Sequence, residues 1–218
     1  MNARSIPDMT RRFPSRARRA LVFALPALAA GCSILPASAP RQWYRLEDAA
    51  STVPGAGPKI PAVLLIEQVS TSALHEGSAL VFSREPGVLA HYRFADWAEP
   101  PGRRVAQLLV RRLEARGRFD AVGLSTSGLA GGLLLRVGLD TLVHDLSGAS
   151  GVARLAVQLE LVDWRRRRRI AQRHVMREAP VTTPDAAGAA SAFGQTLAAV
   201  FDEAAPWVEA EAGRAVAA

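Results

Sequence analysis

The chain has a single cysteine, Cys32, in 218 residues. A domain stapled by disulfides needs an even set, so its stability must come from a packed core. Long apolar runs are also missing. The eleven residues Ala20–Ala30, broken only by Pro26, would rise about 16 Å as a helix, against roughly 30 Å of bilayer hydrocarbon. No apolar stretch after Cys32 reaches the length of a spanning helix. The four histidines, His75, His91, His144 and His174, fall at no metal-ligand spacing. Gly128–Gly132 forms neither a dinucleotide fingerprint nor a phosphate loop. Ser125-Thr126-Ser127-Gly128 lacks the frame of a nucleophile elbow and reads as loop. No two carboxylates are placed by spacing for acid–base work. These gaps point away from an enzyme and imply no metal and no cofactor. The formal charge of +7 is misleading, because the first 31 residues hold six arginines and one aspartate. The remaining 187 residues are near +2, which gives little support to nucleic acid as a partner.

The N-terminus carries an export signal. Arg4, Arg11, Arg12, Arg16, Arg18 and Arg19 form a basic region ahead of the apolar run, and the run is followed by Leu28-Ala29-Ala30-Gly31-Cys32. This segment resembles the lipobox of bacterial lipoproteins. It implies cleavage before Cys32 and a diacylglyceryl group plus an amide-linked acyl chain on that cysteine. One acyl chain binds a bilayer only reversibly, whereas several anchor almost permanently. Ser33, directly after the cysteine, resembles the pattern that sorts such proteins to the outer membrane. The expected organisation is a signal peptide over 1–31, a lipidated end and tether over 32–42, one domain over 43–211, and a tail over 212–218.

Hydrophobic periodicity defines the elements of that domain. Trp43–Leu46 reads as a short strand. Ala62–Val69, with Val63-Leu64-Leu65-Ile66 continuously apolar, suits a strand covered on both faces. Leu80–Ser83 and Val88–Phe94 flank the turn Arg84-Glu85-Pro86-Gly87. In the second arm Val88, Ala90, Tyr92 and Phe94 predict a one-sided strand. Pro101 opens a helix to Arg116, with Val105, Leu108, Leu109 and Leu113 on one face and Gly117 as its C-cap. Phe119–Leu124 reads as a strand. The alternating segments from Leu133 to His144 and from Leu155 to Leu161 are half-buried neighbours, and Ile170–Glu178 follows. Thr183 as N-cap and Pro184 as first residue start a final helix, with Phe193, Leu197, Val200, Ala204 and Val208 in one stripe and a break or kink expected near Pro206. This is an α/β domain with a mixed, largely antiparallel sheet and two main amphipathic helices.

The order of these elements resembles the ABC-type transport auxiliary lipoprotein (PqiC-like) family. Tyr44-Arg45-Leu46, the strand around Val63–Val69, the run Tyr92-Arg93-Phe94-Ala95-Asp96-Trp97-Ala98-Glu99-Pro100-Pro101, and Gly117-Arg118-Phe119 carry the resemblance. It implies a three-layer α/β sandwich. It further implies a non-catalytic role beside an MCE-type ABC transporter that moves lipid or other apolar cargo across the Gram-negative envelope, a periplasmic MCE-domain subunit as partner, and a homo-oligomer. A cell-envelope binding lipoprotein of another kind, a secretion pilot or a regulator of wall synthesis, is the alternative. Two segments stand out as surfaces. Trp97, Glu99, Pro100 and Pro101 form a corner that either packs the domain or meets the partner. The consecutive Arg165, Arg166, Arg167, Arg168 and Arg169 form either a solvated turn or a contact for anionic headgroups or an acidic partner.

Overall fold

Strands of period two and helices of period 3.6 leave one apolar face each, and the fold brings those faces together. The computed structural model describes residues 40–50, 53–148 and 151–218. The signal segment, Cys32 and most of the tether lie outside the described residues. Eight strands form one mixed sheet: β1 (Gln42–Tyr44), β2 (Ile60–Val69), β3 (Ala79–Glu85), β4 (Val88–Trp97), β5 (Phe119–Leu124), β6 (Leu133–Asp145), β7 (Val152–Asp163) and β8 (Arg168–Pro180). Two helices complete the domain, α1 (Pro101–Arg116) and α2 (Ala186–Ala217).

The long strand β6 organises the sheet. One edge pairs along its whole length with β7, and β7 pairs with β8, in antiparallel ladders of twelve register pairs each. The other edge divides. Its first half pairs with β2, parallel, and β2 continues to β5. Its last residues pair with β3, also parallel, and β3 leads to β4 and β1.

Both helices lie on one face of this sheet. Val105, Leu108, Leu109 and Leu113 of α1, and Phe193, Leu197, Val200, Ala204 and Val208 of α2, join one core with Leu64, Ile66, Leu135, Val137, Leu155, Val157 and Leu159. The expected helix faces are the observed ones. On the opposite face Leu65, Leu134 and Val162 form a small second cluster. The cover on that side contains no helix longer than the 3-10 turn Ala73–His75 among the described residues. His75 of that turn is buried, and its Nε2 accepts a hydrogen bond from the Leu142 amide at 3.2 Å. As expected for β2, side chains from both its faces are covered.

Three local expectations need correction. The alternation of β4 is not one-sided, because the β3–β4 ladder slips between the pairs Ala79↔Asp96 and Val81↔His91. The extra residues reverse the facing, so Ala95 and Trp97 are buried while Val88 and Phe94 are exposed. Helix α2 begins later than Thr183-Pro184. Its N-cap is Asp185, whose carboxylate accepts from the Gly188 amide at 2.7 Å. It also runs through Pro206 to Ala217, across the residues read as a tail. Pro206 and Asp202 are on the exposed side of α2, so the carbonyl deprived of its intrahelical partner at residue i−4 faces water.

Candidate functional site

The corner after β4 is built from the inside. The Trp97 amide donates to the Ser78 carbonyl, and the Ala98 amide to the Tyr44 carbonyl, both at 2.7 Å. The Trp97 ring meets Phe193 of α2 edge-on with centroids 5.7 Å apart. Trp97 is only 2% exposed, and Pro101 is buried as the first residue of α1. A partner-facing role for these two therefore fails on burial. They pack the domain, and Ala98, Pro100 and part of Glu99 remain at the surface of the corner.

Glu99 points toward a feature that the sequence reading missed. Arg104, Arg112 and Arg116 stand at multiples of four along α1, beside its apolar stripe. The Arg104 Nε donates to the Leu46 carbonyl at 2.9 Å and lies 3.7 Å from Glu99. Arg112 donates to both oxygens of Asp48, at 2.7 and 2.5 Å, and to Asp202 of α2 at 2.6 Å. Arg116 holds Glu209 of α2 through two bonds of 2.5 and 2.9 Å. Burial opposes the charge on Arg112, but its hydrogen bonds to Asp48 and Asp202 outweigh it and raise its pKa. These pairs clamp the segment after β1 and both helices into one unit. The spacing of the three arginines was the available signal.

Arg165–Arg167 lie in the exposed β7–β8 turn, and Arg168 and Arg169, also exposed, open β8. Asp163 shapes the turn: one carboxylate oxygen accepts from the Arg166 amide at 2.9 Å, and the other lies 3.3 Å from the Arg166 guanidinium. The amide bond to Asp163 is the main reason its carboxyl titrates below the usual range. Arg167 takes a left-handed backbone at φ 50°, which aims its side chain outward. Arg169 is 3.2 Å from Gln172 and 3.9 Å from Glu160. Trp164 is exposed beside the turn.

Charges also cross the helix-free face of the sheet. Glu67 on β2, Arg136 on β6 and Glu160 on β7 form a ladder with steps of 3.1 and 3.4 Å. A second ladder joins Asp145, Arg154 and Glu178 at 3.2 and 2.5 Å. Beside it a cleft of about 540 Å³ is bordered by Leu74, Leu89, Asp140, Asp145 and Arg154. Asp140 approaches His174 at 3.3 Å.

At the same end, under the sheet, His144 is fully buried. Its Nδ1 is 2.7 Å from the Tyr92 hydroxyl, and its Nε2 meets no hydrogen-bond partner among the described residues. Burial lowers the pKa of His144. Burial, and then the nearby Asp185, push the Tyr92 phenol up to about 12. The pair is neutral at pH 7 and caps the core end of β6. His75, His91, His144 and His174 occupy four separate surroundings, and among the described residues no three metal-binding side chains converge.

Residues 44–205 match the family model of the ABC-type transport auxiliary lipoprotein component. Among solved structures, protein XCC0632 of Xanthomonas campestris, a DUF330 protein, superposes with a TM-score of 0.74 at 23% identity, covering 81% of this chain and 99% of its own. A crystal structure of an uncharacterized protein superposes at 0.62 and 14% identity, covering 78% and 99%. A PelC dodecamer from Paraburkholderia phytofirmans reaches 0.42 at 13% identity, covering 71% and 92%. No curated protein sequence matches. The first two of these superpositions show a shared fold.

Proposed function

The chain belongs to the ABC-type transport auxiliary lipoprotein family, and from that premise we propose that it serves, without catalysis of its own, an MCE-type transporter moving lipid or other apolar cargo between the membranes of a Gram-negative envelope. The match over residues 44–205 is the observation that carries this reading. The transporter supplies the work, and the auxiliary protein supplies position. An apolar cargo exposes its chain in water at a cost of about 25 cal/mol per Å², so a transport route must remain covered up to the membrane. A domain held by acyl chains on Cys32 can secure the end of such a route at the outer membrane. The partner is the periplasmic MCE-domain subunit, and several copies of the lipoprotein around the route suit the family.

The surface of this domain is consistent with a docking role. Most of its large apolar side chains join one core, and the arginine clamps on α1 hold the helices to the segment after β1. What it offers outward is charge. The Arg165–Arg169 turn presents a positive surface suited to an acidic partner face, with anionic headgroups the other taker of the same charge. Glu99 and Pro100 add a small polar corner. The test is genetic. Deletion should sensitise cells to detergent and organic solvent, and the wild-type gene should restore resistance while a Cys32→Ala gene does not. Unchanged sensitivity after deletion would favour the alternative of an envelope lipoprotein unrelated to transport.

A further inference from the structure

The β3–β4 hairpin leaves apolar side chains in water that the core does not use. Its two-residue turn is Pro86-Gly87, with Gly87 at φ +78°, a backbone that glycine adopts freely. Directly after the turn Val88 is 54% exposed and Leu89 is 50% exposed. Two exposed aromatics lie farther back, on β4 and on its neighbour β1, about 20 Å along the sheet from the tip. Phe94 follows the slip in β4, and Trp43, at 64% exposure, lies on β1 opposite Asp96. Cations accompany them. The Arg93 guanidinium lies over the Phe94 ring at 5.1 Å, and Arg84 lies over Phe82 at 5.4 Å. Of the acidic groups nearby, Asp96 is paired with Arg41 at 2.9 Å, and Glu85 is at the turn. Exposed aliphatic tips, a tryptophan and arginines are the composition of surfaces that seat at the headgroup boundary of a bilayer.

Chain connectivity says which bilayer. Strand β1 runs parallel to β4, with Gln42 opposite Ala95. Its N-terminal end therefore lies on the hairpin side, and Arg41 donates to the Arg93 carbonyl at 3.4 Å. From Pro40 only eight residues, Ser33–Pro40, separate the domain from Cys32, a span of at most about 28 Å when fully extended. An acylated Cys32 thus keeps this end of the domain near its membrane. The arginine turn is at the other end. The β7–β8 turn adjoins Leu133, and β3 meets His144 and Asp145, so the thirteen residues of β6 separate the two ends by about 40 Å.

From this arrangement we infer that the β3–β4 hairpin tip is a second membrane contact that seats on the bilayer holding the acyl chains of Cys32. The inference rests on the lipoprotein reading. It deepens that reading by giving the domain an orientation: the hairpin end is down on the lipid, and the arginine turn is raised toward the aqueous partner. A tether alone fixes distance only. A tether plus a seated hairpin fixes direction as well, which a docking subunit requires.

The full-length lipoprotein offers a clean test, because an acylated Cys32 has no free thiol and any engineered cysteine can be labelled alone. Leu89→Cys and Val88→Cys at the hairpin, and Arg167→Cys at the far end, each receive a nitrobenzoxadiazole label. The proteins are reconstituted in vesicles of phosphatidylethanolamine and phosphatidylglycerol containing spin-labelled lipid. All three sites are exposed, so folding should tolerate the changes. The hairpin labels should shift to the blue and be quenched roughly threefold or more relative to the label at 167, as for side chains seated about 5–10 Å into the boundary. Equal quenching at both ends, or stronger quenching at 167, overturns the inference. Incorporation of labelled palmitate is measured on the same samples. Palmitate incorporation with a water-exposed hairpin sinks the hairpin contact alone, whereas absence of palmitate removes the anchor and overturns both readings.

Discussion

Arg112 has a cost that its charge alone would not reveal. Its guanidinium is buried between Asp48 and Asp202 and lies over the Phe201 ring at 5.8 Å. Removing one side of a buried pair leaves the other side desolvated without compensation, which typically costs about 3–5 kcal/mol. Arg112→Ala should therefore lower the free energy of unfolding, read from denaturant titration, by an amount in that range, and a change near zero would show that the pair is already hydrated. His144 gives a separate signature in pH. Its folded pKa is depressed by burial, so at equal pH the unfolded state takes the proton first. The sign follows directly: the stability contribution is complete above the ordinary histidine value near 6.5 and declines as pH falls through the folded value. His75, lowered by burial as well, acts in the same direction. His144→Leu should reduce the slope of stability against pH below about 6.5 by up to roughly 1.4 kcal/mol per unit, and an unchanged slope in a pH series of thermal melts would contradict the assignment. None of these pairings was legible in the sequence. Arg112 and Asp48 are 64 positions apart, and Tyr92 and His144 are 52 apart. A residue type tells what it can bind, whereas the fold alone brings the partner.

Elements were far more legible, because their signal is local. The leucine stripe of α1 and the Phe193–Val208 stripe of α2 appear in the core as the 3.6 period requires. Leu109 and Leu197 are both fully buried. Replacing either by alanine should cost about 2–5 kcal/mol, read from denaturant unfolding, and losses under about 0.5 kcal/mol at both sites would mean that these faces are misplaced. Local reasoning failed where a neighbouring element sets the outcome. The slip in the β3–β4 ladder changes the facing of β4 without a mark in its own alternation. The tolerance of Pro206 depends on which side of α2 faces water. The branching of the sheet at β6, with β2 along one half and β3 at the other end, depends on parallel crossovers that period two does not encode. The surface corner was half legible. Trp97-Ala98-Glu99-Pro100-Pro101 was recognisable as special, but the burial of Trp97 makes it chiefly a packing device.

At the scale of the whole molecule the surfaces form a polarity. The hairpin tip occupies one end, with the start of β1 several residues back from it, the arginine turn occupies the other, and β6 spans about 40 Å between the ends. A protein that only needed to remain at a membrane would require no such axis, whereas one that links a bilayer to a transporter does. The most direct test is to purify the full-length lipoprotein from membranes at low and high salt and to ask whether a periplasmic MCE-domain subunit of the same cells comes with it. The account predicts co-elution at low salt. Recovery should fall at high salt and for a variant with Arg165–Arg169 changed to glutamine, because exposed charges are screened within about 8 Å at physiological ionic strength. A transporter subunit that never co-elutes with the wild-type protein at low salt would contradict it.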